Sequence, residues 1–279
     1  MTSASARPAH KKGLSVSDLR AVREGRTVIE DLRFHVEPGA FVGLFGPPGC
    51  GKSMLLRLLA GLEIPAFGRI AWDGRPVAGQ DLDRGLVLCD SGLFPWLSLR
   101  DNLLLACEAA RPDSPPGHGR ALAEDYLALA GLGDDLDRRP LELTRGGRLR
   151  ASLVRALALG SPVLFLDDPF CLLEPRERTA LEDLLPRLVA GASPRRTVVM
   201  ATEDLDEALY LADRVIGLPP AAGPAVYDEP LPVLRPRSRD DLYAARVFQD
   251  LRRLLRDSYR QERRRRLAAR EFFGFGEGI

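Results

Sequence analysis

The sequence predicts an α/β fold in which helices cover a mainly parallel sheet, with antiparallel strands near the N terminus and a helical insertion. Two observations carry this prediction. A strand-like segment at 40–45 ends in a glycine-rich turn, which opens a helical segment at 53–60. Further strand patterns occur at 162–166, 197–201 and 215–218, separated by helical stretches at 176–190 and 204–212. Strands that alternate with helices are typical of a parallel sheet with both faces covered.

The first half of the chain contains short strand patterns and then a largely helical stretch. Residues 1–12 are small, polar and unpatterned, which predicts a disordered terminus. Strand patterns follow at 27–29 and 33–36. Residues from about 93 to 160 have a mostly helical pattern, which a Pro/Gly-rich loop at 111–120 interrupts. We therefore expect one domain over 13–235 that carries a helical insertion at about 93–160.

The C-terminal segment, 236–279, predicts an amphipathic helix and a basic tail. Ser238 and Asp241 have the spacing of a capping box, and apolar residues recur at helical spacing as far as Tyr259. Residues 250–270 contain nine arginines and three acidic residues, although the whole chain carries only +1. This charge suits either nucleic acid or anionic lipid, or a solvated helix face. We favour the solvated face, and expect no nucleic-acid partner, because no aromatic stacking platform accompanies the arginines.

The composition is that of a globular protein without membrane spans. The 279 residues carry 40 basic and 39 acidic side chains, and 45% are hydrophobic, which excludes disordered and collagen-like chains. The longest apolar runs are far shorter than the roughly 18 residues that a membrane helix needs. The four cysteines, Cys50, Cys89, Cys107 and Cys171, lack metal-ligand spacing, and no signal-like segment precedes them. We therefore expect a reducing, cytoplasmic compartment.

Residues 46–53, GPPGCGKS, form the strongest motif because they fit G-x-x-x-x-G-K-[ST] between a strand and a helix. The glycines let backbone N–H groups converge on a β-phosphate, and the helix N terminus adds its dipole. Lys52 reaches β and γ oxygens, and Ser53 ligates Mg²⁺. Lys52 is also the one lysine beyond residue 12. The predicted nucleotide-binding residues here are Gly46, Pro47, Pro48, Gly49, Cys50, Gly51, Lys52, Ser53 and Met54.

A second motif supports the same site. The apolar strand pattern 163–166 ends in two carboxylates, Asp167 and Asp168, as expected of a strand end that holds Mg²⁺ in such folds. A buried strand before a surface turn has a similar pattern, so this motif gains its weight from the phosphate loop upstream. We predict Ser53 and Asp167 as the metal ligands.

From about residue 14 to 257 the chain resembles the ATP-binding subunit of an ABC transporter, of the nitrate/sulfonate/taurine importer type. The resemblance is carried by GPPGCGKS at 46–53, LFPWLSLRDNL at 93–103, LTRGGRLRASLVRALALGSPVLFLDDPF at 143–170 and ATEDLDEALYLADRV at 201–215. It implies a P-loop NTPase that binds ATP and Mg²⁺ in a head-to-tail dimer. Each ATP would lie between the phosphate loop of one subunit and the signature loop of the other, which is Thr144, Arg145 and Gly146 in this sequence.

The resemblance also implies partners and a location. The helical insertion would contact the cytoplasmic loops of a membrane permease, and Leu93, Phe94, Pro95 and Trp96 would belong to that surface. An extracytoplasmic binding protein would act indirectly through the permease. The chain would then be a peripheral subunit on the cytoplasmic face of the inner or plasma membrane.

Several positions depart from the family's pattern around the reaction centre. The Gln that ligates Mg²⁺ is Cys89, and a thiol is a poor ligand for this hard ion. The catalytic Glu is Asp168, whose carboxylate is one methylene shorter. The switch His is Glu203, an anion that should repel the nucleotide unless it turns away. Asp168 and Glu203 therefore occupy the catalytic positions of the family with altered chemistry.

Further departures lie on the dimer face and at the adenine. The signature serine is Thr144, and its first glycine is Arg145, which either blocks close approach to the partner's γ-phosphate or adds a cation to it. The Asp of the dimer-contact loop is Glu174. No aromatic residue stands where the adenine ring is usually stacked, and Arg23 beside Val22 is our candidate for stacking.

These departures lead to three hypotheses about activity. The chain binds Mg·ATP, but a homodimer hydrolyses it slowly or not at all; or it pairs with an intact sister subunit that supplies Glu and His; or it is a non-hydrolysing regulator that keeps the fold. An AAA+ ATPase is disfavoured because Asp167 follows Lys52 by 115 residues. A small-molecule kinase is disfavoured because nothing resembles a set of lid arginines.

Overall fold

The structure is a computed structural model that describes residues 12–89, 92–191, 195–232, 237, 239–240, 245–246, 248–257 and 259–260. The predicted disordered terminus, the capping box at Ser238 and Asp241 and the four arginines at 263–266 fall, apart from Lys12, outside the described residues. Among the described residues, no helix has the length and apolar character needed to cross a membrane.

The strands in chain order are β1 (Leu14–Arg23), β2 (Arg26–Val36), β3 (Phe41–Phe45), β4 (Phe67–Trp72), β5 (Arg75–Pro76), β6 (Arg84–Leu88), β7 (Val163–Asp167), β8 (Thr197–Thr202), β9 (Arg214–Gly217) and β10 (Tyr227–Pro230). The α-helices are α1 (Lys52–Leu59), α2 (Leu99–Ala110), α3 (His118–Leu129), α4 (Arg145–Ala158), α5 (Pro175–Ala190) and α6 (Leu205–Leu211). A short 3₁₀ turn covers Pro140–Glu142. The described residues of 248–260 are helical, and we call this segment the C-terminal helix.

A six-stranded sheet forms the centre of the molecule, in the order β10-β9-β3-β8-β7-β6. Strands β9, β3, β8, β7 and β6 pair in parallel, and β10 adds an antiparallel edge. Strands β7 and β8 are buried almost throughout because helices cover both faces. Apolar side chains form one cluster on each side of this sheet. The predicted parallel sheet is therefore confirmed.

A second, antiparallel sheet has the order β2-β1-β4-β5. Sequence reasoning missed β1, β4 and β5 of this sheet and split β2 into two pieces. For β1 and β2 the reason is local: Asp18 and Asp31 have positive φ values of 51° and 48°. The β1–β2 register also shifts between Val16 and Leu19 and between Leu19 and Ala21. These bulges interrupt the apolar alternation from which a strand is predicted.

Helices α2, α3 and α4 lie between β6 and β7, where a helical insertion was expected, and the loop before α3 falls within 111–120. Ser98 is the N-cap of α2, since its side chain accepts a hydrogen bond from the Asp101 N–H. Asn102 is fully buried and holds the preceding turn, because Asn102 Oδ1 accepts from the Phe94 N–H at 2.8 Å and Asn102 Nδ2 donates to Phe94 O at 3.1 Å. The segment before α2 that contains Phe94 and Trp96, which we call the aromatic segment, is thus fixed by one amide side chain.

Candidate nucleotide site

The phosphate loop connects β3 to α1, and the side chain of Lys52 contacts the backbone at the start of the loop. Lys52 is only 6% exposed, and its Nζ donates to Gly46 O at 2.7 Å and to Pro47 O at 3.0 Å. Gly51 has φ 99°, and a Cβ there would lie 2.9 Å from Val28 Cγ1, so this position requires glycine. The loop therefore presents backbone N–H groups and one buried ammonium group, the arrangement that suits a phosphate chain.

Ser53 and Asp167 meet at the end of the parallel sheet, as their predicted shared role requires. Ser53 Oγ donates to Asp167 Oδ1 at 2.9 Å. A hydroxyl and a carboxylate are hard oxygen donors, and this pair fits Mg²⁺. Among the described residues, no cluster of three His, Cys, Asp or Glu side chains forms a separate metal site.

Glu203 follows β8 and reaches into the phosphate loop. Its Oε1 lies 3.3 Å from Lys52 Nζ, although 45% of the Glu203 side chain is exposed. We expected repulsion of the nucleotide unless this carboxylate turned away; it instead turns towards the lysine. The ammonium group that a phosphate would use is thus shared with an acidic side chain of the same chain.

Asp168 lies at the start of the turn after β7 in a left-handed conformation, with φ 44°. Its N–H donates to Ala201 O at 3.0 Å, and its carbonyl accepts from the Cys171 N–H at 3.2 Å. Burial raises the pKa of the Asp168 carboxyl, and the nearby Glu203 carboxylate raises it further. The turn therefore fixes the backbone at Asp168 and holds its carboxyl where the charged form is disfavoured.

A cavity of about 510 Å³ opens beside Asp168 and Glu203, and we call it the acidic cavity. Its lining combines five carboxyl groups with two guanidinium groups. The residues are Phe45, Asp168, Cys171, Arg178, Thr202, Glu203, Asp204, Leu205, Asp206, Glu207 and Arg256. Sequence reasoning did not identify Arg178 or Arg256 as neighbours of this site, because they come from α5 and from the C-terminal helix.

The signature residues lie at the start of α4. Thr144 caps this helix, since its Oγ1 accepts from the Gly147 N–H at 3.1 Å. Arg145 donates to Leu172 O at 3.4 Å. A Cβ at Gly146 would lie 2.9 Å from Glu177 Oε1, so the helix approaches α5 closely there. Arg145 lines a separate cavity of about 200 Å³, and none of the described phosphate-loop residues lines that cavity.

The remaining predicted positions lie at the edges of the site. Arg23 is exposed at the end of β1, in the hairpin whose second strand contacts Gly51 through Val28. Glu174 precedes the first residue of α5 and makes no side-chain cap for that helix. The structure therefore brings Lys52, Ser53, Asp167, Asp168 and Glu203 together, and it places the signature residues elsewhere on the same chain.

Cys89 and Cys171 form a disulfide that sequence reasoning missed. Strands β6 and β7 are parallel neighbours in which Leu88 pairs with Asp167, so both cysteines follow their strands at the same end of the sheet. Their Cα atoms lie 6.5 Å apart, within the usual range. The expectation of a reducing compartment gave no reason to pair them, and the sequence pattern predicted no strand at 84–88 that would have placed Cys89 beside the end of β7. Cys50 and Cys107 are free and buried.

The chain shares sequence similarity with known proteins. The ABC transporter family profile matches residues 29–171. The nitrate import ATP-binding protein NrtD of Synechococcus elongatus is 39% identical over 214 residues, which cover 76% of this chain and 77% of that protein. The bicarbonate transport ATP-binding protein CmpD of Synechocystis sp. is 36% identical over 229 residues, which cover 81% of this chain and 80% of that protein.

A solved structure supports the fold. It is the dimeric structure of an ATP-binding cassette in a post-hydrolysis state, bound to ADP and Pi, and it matches with a TM-score of 0.68. The two sequences are 22% identical, and the match covers 79% of this chain and 100% of that chain. The predicted P-loop NTPase fold is thereby confirmed. Taken with the family profile and the two relatives, this match means that the chain belongs to the ABC transporter family, among its ATP-binding ATPase subunits.

Proposed function

We propose that this chain energises a membrane permease for small oxyanions, and that it binds Mg·ATP but hydrolyses it slowly on its own. The observation that carries the proposal is the phosphate loop, where buried Lys52 lies beside a Ser53–Asp167 pair with 2.9 Å between the two oxygens. The substrate class is drawn from NrtD and CmpD, which are named for nitrate and bicarbonate. Both ions are small planar oxyanions.

Ser53 and Asp167 are the residues that would hold Mg²⁺. Both supply oxygen ligands at the end of β7 next to the phosphate loop. When bound, Mg²⁺ would neutralise part of the charge on the phosphates. Cys89 would contribute no ligand, because its sulfur is bonded to Cys171.

A second subunit would complete the nucleotide site. Thr144, Arg145 and Gly146 lie at the start of α4, and Arg145 lines a cavity to which the described phosphate-loop residues do not contribute. In the head-to-tail dimer that the family resemblance implies, they would reach a nucleotide held by another subunit. That subunit is a second copy of this chain or a sister subunit that retains Glu and His. Arg145 would then add a cation to the partner's γ-phosphate or limit its approach.

The aromatic segment before α2 suits a permease contact. Trp96 is 65% exposed and Phe94 is 41% exposed, and their ring centroids lie 5.5 Å apart. Buried Asn102 holds the turn that presents them. An exposed aromatic pair on a fixed turn is typical of an interaction surface. We assign it to the permease on the cytoplasmic face of the membrane, with an extracytoplasmic binding protein coupled through that permease.

Slow hydrolysis follows from the two altered catalytic positions. A general base must be ionised and within hydrogen-bond reach of the attacking water. Asp168 is shorter than the family's Glu, and burial raises the pKa of its carboxyl. Glu203 places an anion 3.3 Å from Lys52, where the family has a histidine. A misplacement of about 1 Å can by itself cost on the order of 100-fold in rate.

A second candidate function is a nucleotide-binding regulator that does not hydrolyse ATP. The Lys52–Glu203 pair favours this function. Glu203 would compete with a phosphate for Lys52 and so adjust nucleotide affinity, and a regulator needs no catalytic base. Single-turnover hydrolysis with and without candidate sister subunits separates the two functions. Activity restored by a sister subunit supports the transporter motor, and ATP binding without hydrolysis in every combination supports the regulator.

A further inference from the structure

The C-terminal helix is a fixed part of the nucleotide domain, although it lies beyond the residues that the family profile matches. Phe248 and Leu255 of this helix are 2% and 0% exposed and belong to the main apolar cluster. Arg252 forms an ion pair with Asp206 in α6, which begins two residues after Glu203. The helix is therefore anchored to the same segment that carries Glu203.

Tyr259 anchors the end of this helix beside the phosphate loop. Its hydroxyl lies 2.8 Å from Phe45 O and 2.6 Å from Leu218 O, at the ends of β3 and β9. Its ring packs edge-on against Phe45, with centroids 4.9 Å apart. Phe45 is the residue before Gly46, so this contact fixes the entrance to the phosphate loop. Burial raises the pKa of Tyr259, which keeps the hydroxyl protonated as a donor.

Arg256 lies between these two anchors. It follows Arg252 by four residues and precedes Tyr259 by three, so all three share one face of the helix. Arg256 lines the acidic cavity together with Asp168 and Glu203. Within the described part of the chain, its guanidinium makes no ion pair. Among the described residues Arg256 is therefore a cation without a carboxylate partner, on a helix face that Arg252 and Tyr259 anchor.

The acidic cavity has more carboxyl than guanidinium groups in its lining, so a phosphate bound there would need a cation that is not already paired. Arg178, the other guanidinium in the lining, is already paired with Asp204 at 3.4 Å and Glu207 at 3.3 Å. Lys52 is shared with Glu203. A terminal phosphate placed near Asp168 and Glu203 would face two carboxylates. Arg256 would add a cation there to Lys52 and to the Mg²⁺ that Ser53 and Asp167 would hold. A guanidinium fork suits phosphate oxygens, which it binds through two parallel hydrogen bonds.

We propose that Arg256 binds the terminal phosphate of ATP, and that Tyr259 positions the helix for this contact. The assignment rests on the proposed binding of ATP at the phosphate loop. Arg256 of the C-terminal helix would thus provide a positive charge in the same cavity where Glu203 provides a negative one. The assignment also predicts discrimination between ATP and ADP, because ADP lacks the phosphate that Arg256 would contact.

The test compares the binding of ATP and of ADP to the full chain by calorimetry in the presence of Mg²⁺. We expect Arg256→Ala to weaken ATP binding by about tenfold, as for the loss of a hydrogen bond to a charged group, and to leave ADP binding within about twofold. Arg253→Ala is the matched control, since Arg253 lies on the same helix and its side chain is 75% exposed. Thermal unfolding of both variants verifies that the fold is retained.

Tyr259→Phe tests the positioning role separately, because it removes the hydroxyl and keeps the ring. We expect it to reduce the preference for ATP over ADP, with a smaller effect than Arg256→Ala. Equal affinities of the wild type and Arg256→Ala for ATP would overturn the proposal, as would an equal loss of ATP and ADP binding. Unchanged ATP binding in Lys52→Ala would instead contradict the proposed nucleotide site itself, so the two failures are distinguishable.

Discussion

Lys52 Nζ lies 3.3 Å from Glu203 Oε1, so the cation that a phosphate chain needs is already paired with a carboxylate of the same chain. The pair joins Lys52, at the start of α1, to the residue that follows β8, and nearly half of the Glu203 side chain is exposed to solvent. A nucleotide that enters the loop must displace this carboxylate or share the lysine with it. The pair thus links nucleotide affinity directly to residue 203.

Glu203→Gln should strengthen ATP binding. The substitution removes the anion that competes for Lys52 and keeps the size of the side chain. An ion pair that is half exposed contributes up to about 1 kcal/mol, so we expect roughly a fivefold gain in affinity. Equilibrium binding of ATP measures it, and Glu229→Gln on the exposed edge strand is a charge-matched control. Unchanged affinity would mean that the pair does not compete with phosphate.

Asp168→Glu should raise the rate of hydrolysis. The added methylene restores the reach of the carboxylate towards the attacking water. We expect an increase on the order of 10- to 100-fold in single-turnover rate, with a further increase when Glu203→His is added. ATP affinity should change little in Asp168→Glu alone. If both variants hydrolyse ATP at the wild-type rate, the altered residues are not what limits the reaction.

Glu207 should make stability depend on pH. Burial raises the pKa of this carboxyl to about 7 from 4.5, although Thr202 donates a hydrogen bond to it. The folded state therefore holds the proton more tightly than the unfolded state does. This contribution is fully present below pH 4.5 and is lost as the pH rises through about 7.

Glu207→Gln removes this titration and keeps an acceptor for Thr202. Between pH 5 and pH 8 the wild type should lose roughly 2.5 kcal/mol of unfolding free energy relative to the variant. Urea unfolding of both proteins at the two pH values measures this difference. A constant difference between the proteins at both pH values would show that Glu207 titrates normally.

The Cys89–Cys171 disulfide should be visible in a thiol count. The denatured chain should show two reactive thiols before reduction, from Cys50 and Cys107, and four afterwards. Because the bond joins residues 82 apart, its loss in a Cys89→Ser and Cys171→Ser double variant should cost about 4 kcal/mol of stability. Four reactive thiols in the unreduced, freshly purified chain would contradict the bond.

The parallel sheet and the phosphate loop were predictable because their signals are local. Strands β3, β7 and β8 are continuous apolar runs, and the GPPGCGKS loop carries its chemistry within eight residues. Strand β1 was not predictable in the same way, since positive φ at Asp18 shifts its register and breaks the alternation. The family resemblance supplied the order of the motifs, which composition and periodicity do not contain.

The missed parts of the site depend on contacts between distant segments. Tyr259 reaches Phe45 O across 214 positions of sequence, and nothing near either residue indicates this contact. The orientation of Glu203 was also beyond the sequence, because electrostatics alone allowed it to turn either towards Lys52 or away. Cys89 and Cys171 become neighbours only once β6 and β7 pair.

We propose that this ATPase subunit binds Mg·ATP at its phosphate loop and hydrolyses it slowly when alone. The most direct test is ATP binding and single-turnover hydrolysis by the purified chain, with Lys52→Ala as control. We predict Mg²⁺-dependent binding that Lys52→Ala abolishes, together with a hydrolysis rate far below the roughly 10 s⁻¹ typical of enzymes. A homodimer that turns over ATP near that rate, with activity lost in Lys52→Ala, would contradict it.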